Sequence, residues 1–396
     1  MPDPGRRKVC VVVASRANYA RIKTLMQAVR DREDTELQVI AAASVLLERF
    51  GTSVDVMERD GFAPDATIRL IIEGENPTTM AKSTGLGLLE LPTVFEMLEP
   101  DVVVTVADRF ETIATAIAAA YMNIPVAHTQ GGEVSGSIDE SVRHAVTKLA
   151  HLHFPSTELS AQRVIAMGED PATVFNLGCP SIDLVAQTDL GLRAEALDWF
   201  GGTGAKIDPE KPYVLMMQHP VTTEFGQGFD QINETLDAVV ALGMQALVFW
   251  PNVDAGSEQV AKGIRQFRET GRDHGFHFFR HLPAEVFARL MAHCAVMVGN
   301  SSSGLREGAF LGTPVVTVGS RQHNREHGRN VVRVGHDAAA IADAMRDQIA
   351  RGPHERDELF GDGAAGRKIA AVLSSARPAI QKELHYDVGR LMAATL

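Results

Sequence analysis

The chain has 396 residues, of which 45% are hydrophobic and 22% charged, and a formal net charge of −12. That length exceeds what one hydrophobic core usually fills, so two domains are expected. The acidic balance excludes a protein whose main work is to coat nucleic acid or an anionic membrane, so neither is expected as a partner.

Residues Met1 to Lys8 are polar, and the apolar run that follows is too short for a signal segment. No stretch approaches the roughly 18 apolar residues of a membrane helix. Cys10, Cys179 and Cys294 are widely spaced and form no Cys-x-x-Cys pair, which fits a reducing, cytoplasmic setting and argues against a zinc ribbon. Short apolar runs then alternate with longer amphipathic ones, the pattern of α/β units on a parallel sheet.

Val9–Val13 reads as a buried strand, and Ile22, Leu25, Met26 and Val29 follow helical spacing after it. Strands at Leu37–Ala43, Val102–Val106 and Pro125–His128, with helices at about 45–59, 86–98, 110–121 and 138–150, complete a first doubly wound unit over residues 1–190. The Thr-, Ser- and Gly-rich stretch 74–87 reads as a loop, either covering a substrate or simply connecting two elements. A less patterned stretch around 186–210 leads into a second unit, 205–375, with strands at Tyr213–Met217, Ala246–Trp250, Val296–Val298 and Val315–Val318. The pattern of 376–396 predicts a helix that crosses back onto the first unit. The fold class is α/β, two doubly wound Rossmann-like domains facing a cleft, and ligands bind there beyond the carboxyl ends of the strands.

The segment from Gly299 to Gly308 ends an apolar strand and opens an apolar helix, which makes it a candidate anion site. Amides at a helix start have no intrahelical partner, the dipole makes that end positive, and Ser301, Ser302 and Ser303, between Asn300 and Gly304, add donors. Glu307, one turn on, suits a vicinal diol such as a ribose; a plain helix cap is the competing reading.

Other polar groups bunch at strand ends. Asp108-Arg109-Phe110-Glu111 follows one strand, His128 to Glu133 another, and the next helix opens with Asp139, four residues before Arg143, an acid and a cation on one helix face. In the second unit His219, Asn252 and Arg321 follow strands, and His281 precedes Leu282-Pro283; cation, imidazole and carboxamide facing an anion-binding helix start suit a diphosphate. No dinucleotide fingerprint and no P-loop occurs, and His151 and His153 have no third ligand near them in sequence, so neither a cofactor nor a metal is expected.

With these residues in place, the chain resembles the UDP-N-acetylglucosamine 2-epimerase family, in particular its hydrolysing, sialic-acid-pathway branch, over about residues 8–375. The resemblance rests on Ser15-Arg16-Ala17-Asn18-Tyr19, Asp108 to Glu111, His128 to Glu133, the run from Ser137 to His151, His219-Pro220, and Gly299 to Glu307. It implies a glycosyltransferase-B-like fold, a nucleotide-sugar substrate, and neither metal nor redox cofactor. A homodimer or homotetramer is expected. Hydrolysing members eliminate a nucleoside diphosphate across C1 and C2 of an N-acetylated hexosamine, then hydrate the glycal to release the C2-inverted sugar.

By the same resemblance, Asp108, Glu133 and Asp139 are the candidates for proton transfer at C2, with Arg143 beside them. Ser301, Ser302 and His219 would stabilise the departing diphosphate, Arg16, Ala17 and Arg109 would bind phosphate or sugar oxygens, and Glu307 would bind the ribose. A 2,4-diacetamido-trideoxy sugar substrate, a non-hydrolysing epimerase, a glycosyltransferase and a non-catalytic nucleotide-sugar binding protein are the alternatives.

Overall fold

The computed structural model describes residues 5–48, 53–106, 109–192, 201–280 and 282–386. In the first unit, β1 (Arg7–Val13), β2 (Thr35–Ala42), β3 (Ala66–Ile68), β4 (Val102–Val106), β5 (Val126–Thr129) and β6 (Leu152–Phe154) form one sheet in the order β3-β2-β1-β4-β5-β6. Every pairing in it is parallel. Its helices are α1 (Arg16–Arg30), α2 (Ser53–Arg59), α3 (Pro77–Leu98), α4 (Thr112–Tyr121), α5 (Ile138–Leu149), α6 (Glu158–Ala166) and α7 (Pro180–Gln187).

The second sheet holds β7 (Thr203–Gly204), β8 (Tyr213–Met217), β9 (Gln245–Phe249), β10 (Phe276–Phe279), β11 (Val296–Gly299), β12 (Val315–Val318) and β13 (Val331–Val334), in the order β13-β12-β11-β8-β9-β10-β7. With the short antiparallel β7 set aside, this order repeats that of the first sheet. Helices α8 (Gly228–Leu242), α9 (Ser257–Glu269), α10 (Ala284–His293), α11 (Ser302–Leu305), α12 (Glu307–Leu311), α13 (Ala338–Arg351) and α14 (Ala365–Ser375) follow in chain order. Strand order therefore reverses twice, between β1 and β4 and between β8 and β11, and a crevice opens at each reversal.

The strands are continuous apolar runs because both faces of each sheet are covered. Val9, Val11 and Val13 pack with Ile22, Leu25 and Met26 of α1, while Cys10 and Val12 face Leu91 and Phe95 of α3 and Ala114 of α4. Among the described residues no helix is long and apolar enough to cross a membrane.

Three expectations are corrected. The stretch 74–87 is mostly helix: Asn76 and Thr79 form a reciprocal capping box and Pro77 takes the first helical position, so α3 begins well before residue 86. Gly87, poor as a helix former, is where α3 lies against α4, since a Cβ there would stand 3.0 Å from that of Ala114. The helix expected at about 45–59 is a short 3-10 turn, Ala43–Leu46, followed by α2, with residues 49–52 outside the described set.

Among the described residues the helix that crosses back is α14, and the part of 376–396 that is described is not helical. Ile369 and Leu373 of α14 belong to the core beneath β1. Residues 376–386 are not helical, in keeping with the bias of Pro378 against helix at the residue before it, and 387–396 lie outside the described residues. That tail is tied to the first unit by Lys382, which pairs with Glu169 at 2.6 Å, and by the Tyr386 hydroxyl, which donates to the Met167 carbonyl at 3.0 Å.

The return of α14 depends on Asp183 in α7. Its buried carboxylate accepts from the Ala365 amide at 2.8 Å and the Gly366 amide at 2.6 Å, supplying the cap that Ala364 cannot. Asp183→Ala is expected to lower the free energy of unfolding by about 1–3 kcal/mol, read by urea denaturation.

Candidate active site in the interdomain cleft

Four of the residues picked out in the sequence stand immediately past the four strands that flank the two reversals: Arg16 after β1, Arg109 after β4, His219 after β8 and Asn300 after β11. Gly299 lets the last two approach. It sits at φ 127°, and a Cβ there would lie 2.1 Å from the Met217 carbonyl oxygen. The resulting cleft is lined from the first unit by Arg16, Ala17, Arg21, Arg109 and Asp139, and from the second by His219, Asn252, Ser301, Ser302, Ser303, Glu307, Arg321 and Arg325.

Arg109 is buried between two carboxylates, with Nε 2.8 Å from Glu111 and Nη1 2.7 Å from Asp254 across the cleft. Asp254 also accepts from the Asn252 amide nitrogen Nδ2 at 2.6 Å and lies 3.3 Å from Arg321. Burial alone would raise the Asp254 carboxyl, but Arg109 and Arg321 hold it below its ordinary value and therefore ionised. Arg321 extends the row to Asp139, 3.7 Å away. Arg16 donates to the Arg280 carbonyl at 2.7 Å, and burial pulls its guanidinium down to about 10.

His219 is held at both its backbone and its ring. Asn300 accepts from the His219 amide at 2.7 Å and donates to its carbonyl at 2.8 Å, while the ring Nδ1 accepts from the Asn252 amide at 3.3 Å. Burial, reinforced by the cations Arg321, Arg16 and Arg109 and only partly offset by Asp254, lowers its pKa to about 3. A neutral ring whose Nδ1 accepts carries its proton on Nε2, so His219 is a donor.

The serine segment differs from a single opening helix. Ser301 caps a one-turn helix, α11, that breaks at Arg306 before α12 begins at Glu307. The Ser302 hydroxyl oxygen accepts from Arg21 at 2.7 Å and from Arg306 at 3.4 Å. Both lone-pair directions are then occupied by guanidinium donors, and its own O–H remains to be given to a ligand. Ser301 and Ser303 pair through their hydroxyls at 2.7 Å, and the Glu307 side chain lines the same wall.

Several expected site residues are placed elsewhere. Asn300 does not line the cleft; its carboxamide is used on His219. Gly304 faces the core, where a Cβ would stand 3.0 Å from Val315. Arg143 is fully buried and does not itself line the cleft; it donates to the Glu133 carbonyl at 2.6 Å and, at 3.1 Å, to the hydroxyl of Ser135, which does. Glu133 lies behind the cleft wall, and its Oε2 holds both Arg306 and Arg325. Burial would raise this carboxyl, but Arg306, Arg325 and Arg143 bring it down to about 2, which makes it a poor proton acceptor. Asp108 and His281 lie outside the described residues.

Sequence reasoning missed Arg21, Asp254 and Arg325. Arg21 is one turn past Ala17 on α1, Asp254 is two residues past Asn252, and Arg325 lies in the polar loop after β12, so position relative to strand ends was the available signal. Among the described residues no group of three His, Cys, Asp or Glu could hold a metal. His153 instead bonds Glu169 at 3.1 Å, and His151 accepts from the Val126 amide at 3.1 Å.

Residues 27–374 match the sequence profile of the UDP-N-acetylglucosamine 2-epimerase family. The chain is 34% identical over 370 residues to the UDP-N,N'-diacetylbacillosamine 2-epimerase (hydrolyzing) of Legionella pneumophila, covering 93% of this chain and 96% of that one. It is 29% identical over 329 residues to the GDP/UDP-N,N'-diacetylbacillosamine 2-epimerase (hydrolyzing) of Campylobacter jejuni, covering 83% and 84% respectively. The fold matches the UDP-GlcNAc 2-epimerase of Neisseria meningitidis bound to UDP-GlcNAc with a TM-score of 0.76 and 19% identity, covering 93% and 100% of the two chains.

The His219 environment has a direct readout. Nitrogen-15 NMR is expected to find a neutral Nε2–H tautomer that does not titrate between about pH 5 and about pH 8. The unfolded imidazole takes up its proton near 6.5 and the folded one only near 3. This group therefore leaves stability unaffected above about pH 6.5 and lowers it progressively as the pH falls from there toward about 3, where the loss is complete.

Proposed function

The chain belongs to the UDP-N-acetylglucosamine 2-epimerase family, and from that premise we propose that it is a hydrolysing 2-epimerase of a nucleotide-activated 2-acetamido hexose, releasing UDP and the C2-inverted free sugar. The observation that carries the reading is the Ser302 hydroxyl, held as a donor by one arginine from each unit at the edge of a cleft with Arg16, Arg321 and Arg325. Such a wall suits a diphosphate and stabilises the charge that develops as it leaves. Glu307, on the same wall, is assigned to the ribose diol.

Asp139, on the lining of the same cleft, supplies a carboxylate, and Asp108, outside the described residues, is the second candidate from the sequence. One of them takes the C2 proton while the C1–O bond breaks. The C–H electron pair becomes the C1–C2 double bond, and the C–O pair departs on the diphosphate. Water then adds across that bond, hydroxyl to C1 and a proton to C2 on the face opposite the one vacated. His219, neutral with its proton on Nε2, donates a hydrogen bond without adding positive charge.

Two sugars fit this reading. UDP-GlcNAc, giving an N-acetylmannosamine-like product, is one; a UDP- or GDP-linked 2,4-diacetamido-trideoxy hexose is the other, favoured by the names that the Legionella and Campylobacter relatives carry. The ratio of kcat/KM for the two substrates decides between them.

In heavy water the released sugar is expected to carry one deuterium at C2. In oxygen-18 water the label is expected on C1 of the sugar and not in the UDP. A product lacking C2 deuterium rejects the elimination. Asp139→Asn is expected to lower turnover by a factor on the order of 100 or more, while Ser302→Ala weakens UDP binding by about 1–2 kcal/mol by calorimetry.

A further inference from the structure

Glu133 looks from the sequence like a base, yet its surroundings give it other work. It stands in the connection between β5 and α5 of the first unit, whereas Arg306, between α11 and α12, and Arg325, after β12, belong to the second. All three side chains are buried, at 2%, 1% and 5% exposure, so neither solvent nor salt substitutes for the carboxylate. Both guanidiniums converge on the one oxygen Oε2, Arg325 with two of its nitrogens and Arg306 with one.

From there two chains of bonds lead into the cleft. Arg306 reaches the Ser302 hydroxyl at 3.4 Å. Arg325 donates to Gln322 at 3.0 Å, Gln322 donates to the Asn300 carbonyl at 2.8 Å, and Asn300 clamps His219. Ser302, Gln322, Arg325 and His219 all line the cleft, and Glu133 does not.

We propose that Glu133 is a positioning residue: from the first unit it fixes Arg306 and Arg325 of the second, and through them the diphosphate-binding wall, and it takes no part in moving the C2 proton. The proposal rests on the nucleotide-sugar reading above. Without the carboxylate, Arg306 and Arg325 are left as neighbouring buried cations beside Arg143, and their repulsion opens this end of the cleft. UDP, which has no sugar, separates the two roles, because a base at C2 is irrelevant to its binding whereas the wall is not.

Calorimetric titration of UDP into wild type, Glu133→Gln, Arg325→Gln and the double variant tests this, with thermal melts to confirm folding and product deuteration in heavy water as a second readout. Glu133→Gln is expected to weaken UDP by about tenfold or more, the scale of one charge-assisted bond to phosphate. The double variant is expected to weaken UDP by less than the product of the two single effects, since the Glu133–Arg325 contact is lost in both single variants while only Glu133→Gln also frees Arg306. Whatever sugar Glu133→Gln still releases is expected to carry a full deuterium at C2.

UDP affinity within about twofold of wild type in folded Glu133→Gln, together with turnover lowered as for Asp139→Asn, overturns the proposal and returns Glu133 to the chemistry. Should Glu133→Gln not fold, Glu133→Asp keeps the charge but is one methylene too short to hold both arginines, and unaltered UDP affinity in it likewise overturns the proposal. Absence of UDP binding to wild type would sink the nucleotide-sugar reading itself, a distinct result.

Discussion

A buried guanidinium needs a counter-charge within reach, and in this protein several of those counter-charges stand on the far side of the cleft. Arg109 of the first unit is neutralised by Asp254 of the second, Arg321 of the second reaches back to Asp139 of the first, and Arg306 and Arg325 of the second share Glu133 of the first. Partners within one unit exist as well, Glu111 for Arg109 and Asp254 for Arg321, and the pairs that cross the cleft add to them. The relative placement of the two sheets is thereby tied to the same residues that shape the site.

This arrangement also sets the protonation states on which chemistry depends. Burial, with cations adding to it, keeps His219 neutral, while the cations around Glu133 overcome its burial and keep it ionised. One electrostatic environment thus separates a neutral hydrogen-bond donor from a permanent anion within a single wall.

The strands and the reversal points were legible in the sequence because parallel strands covered on both faces are uninterrupted apolar runs, and the polar residues that end them mark the crevice. Arg16, Arg109, His219 and Ser302 were found in that way. The start of α3 was not, because Thr, Ser and Gly are poor interior helix formers; the Asn76–Thr79 box and the contact of Gly87 with α4 override that preference. Glu133 and Asn300 have the right chemistry at the right strand ends, and what assigns them to supporting work is a partner far along the chain. Arg306 is 173 residues from Glu133, and His219 is 81 from Asn300. Asp254 was passed over because its meaning is given by Arg109 and Arg321, which local spacing does not bring together.

The return of α14 has a consequence for how the chain is made. Ile369 and Leu373 complete the apolar layer beneath Val9, Val11 and Ile22, yet they are synthesised after the whole second sheet. As the chain emerges from the ribosome, the first unit therefore waits with one flank of its core uncovered while the second, whose strands are contiguous from residue 203 to 334, can close on itself. The domain translated first is thus the one whose core is completed last.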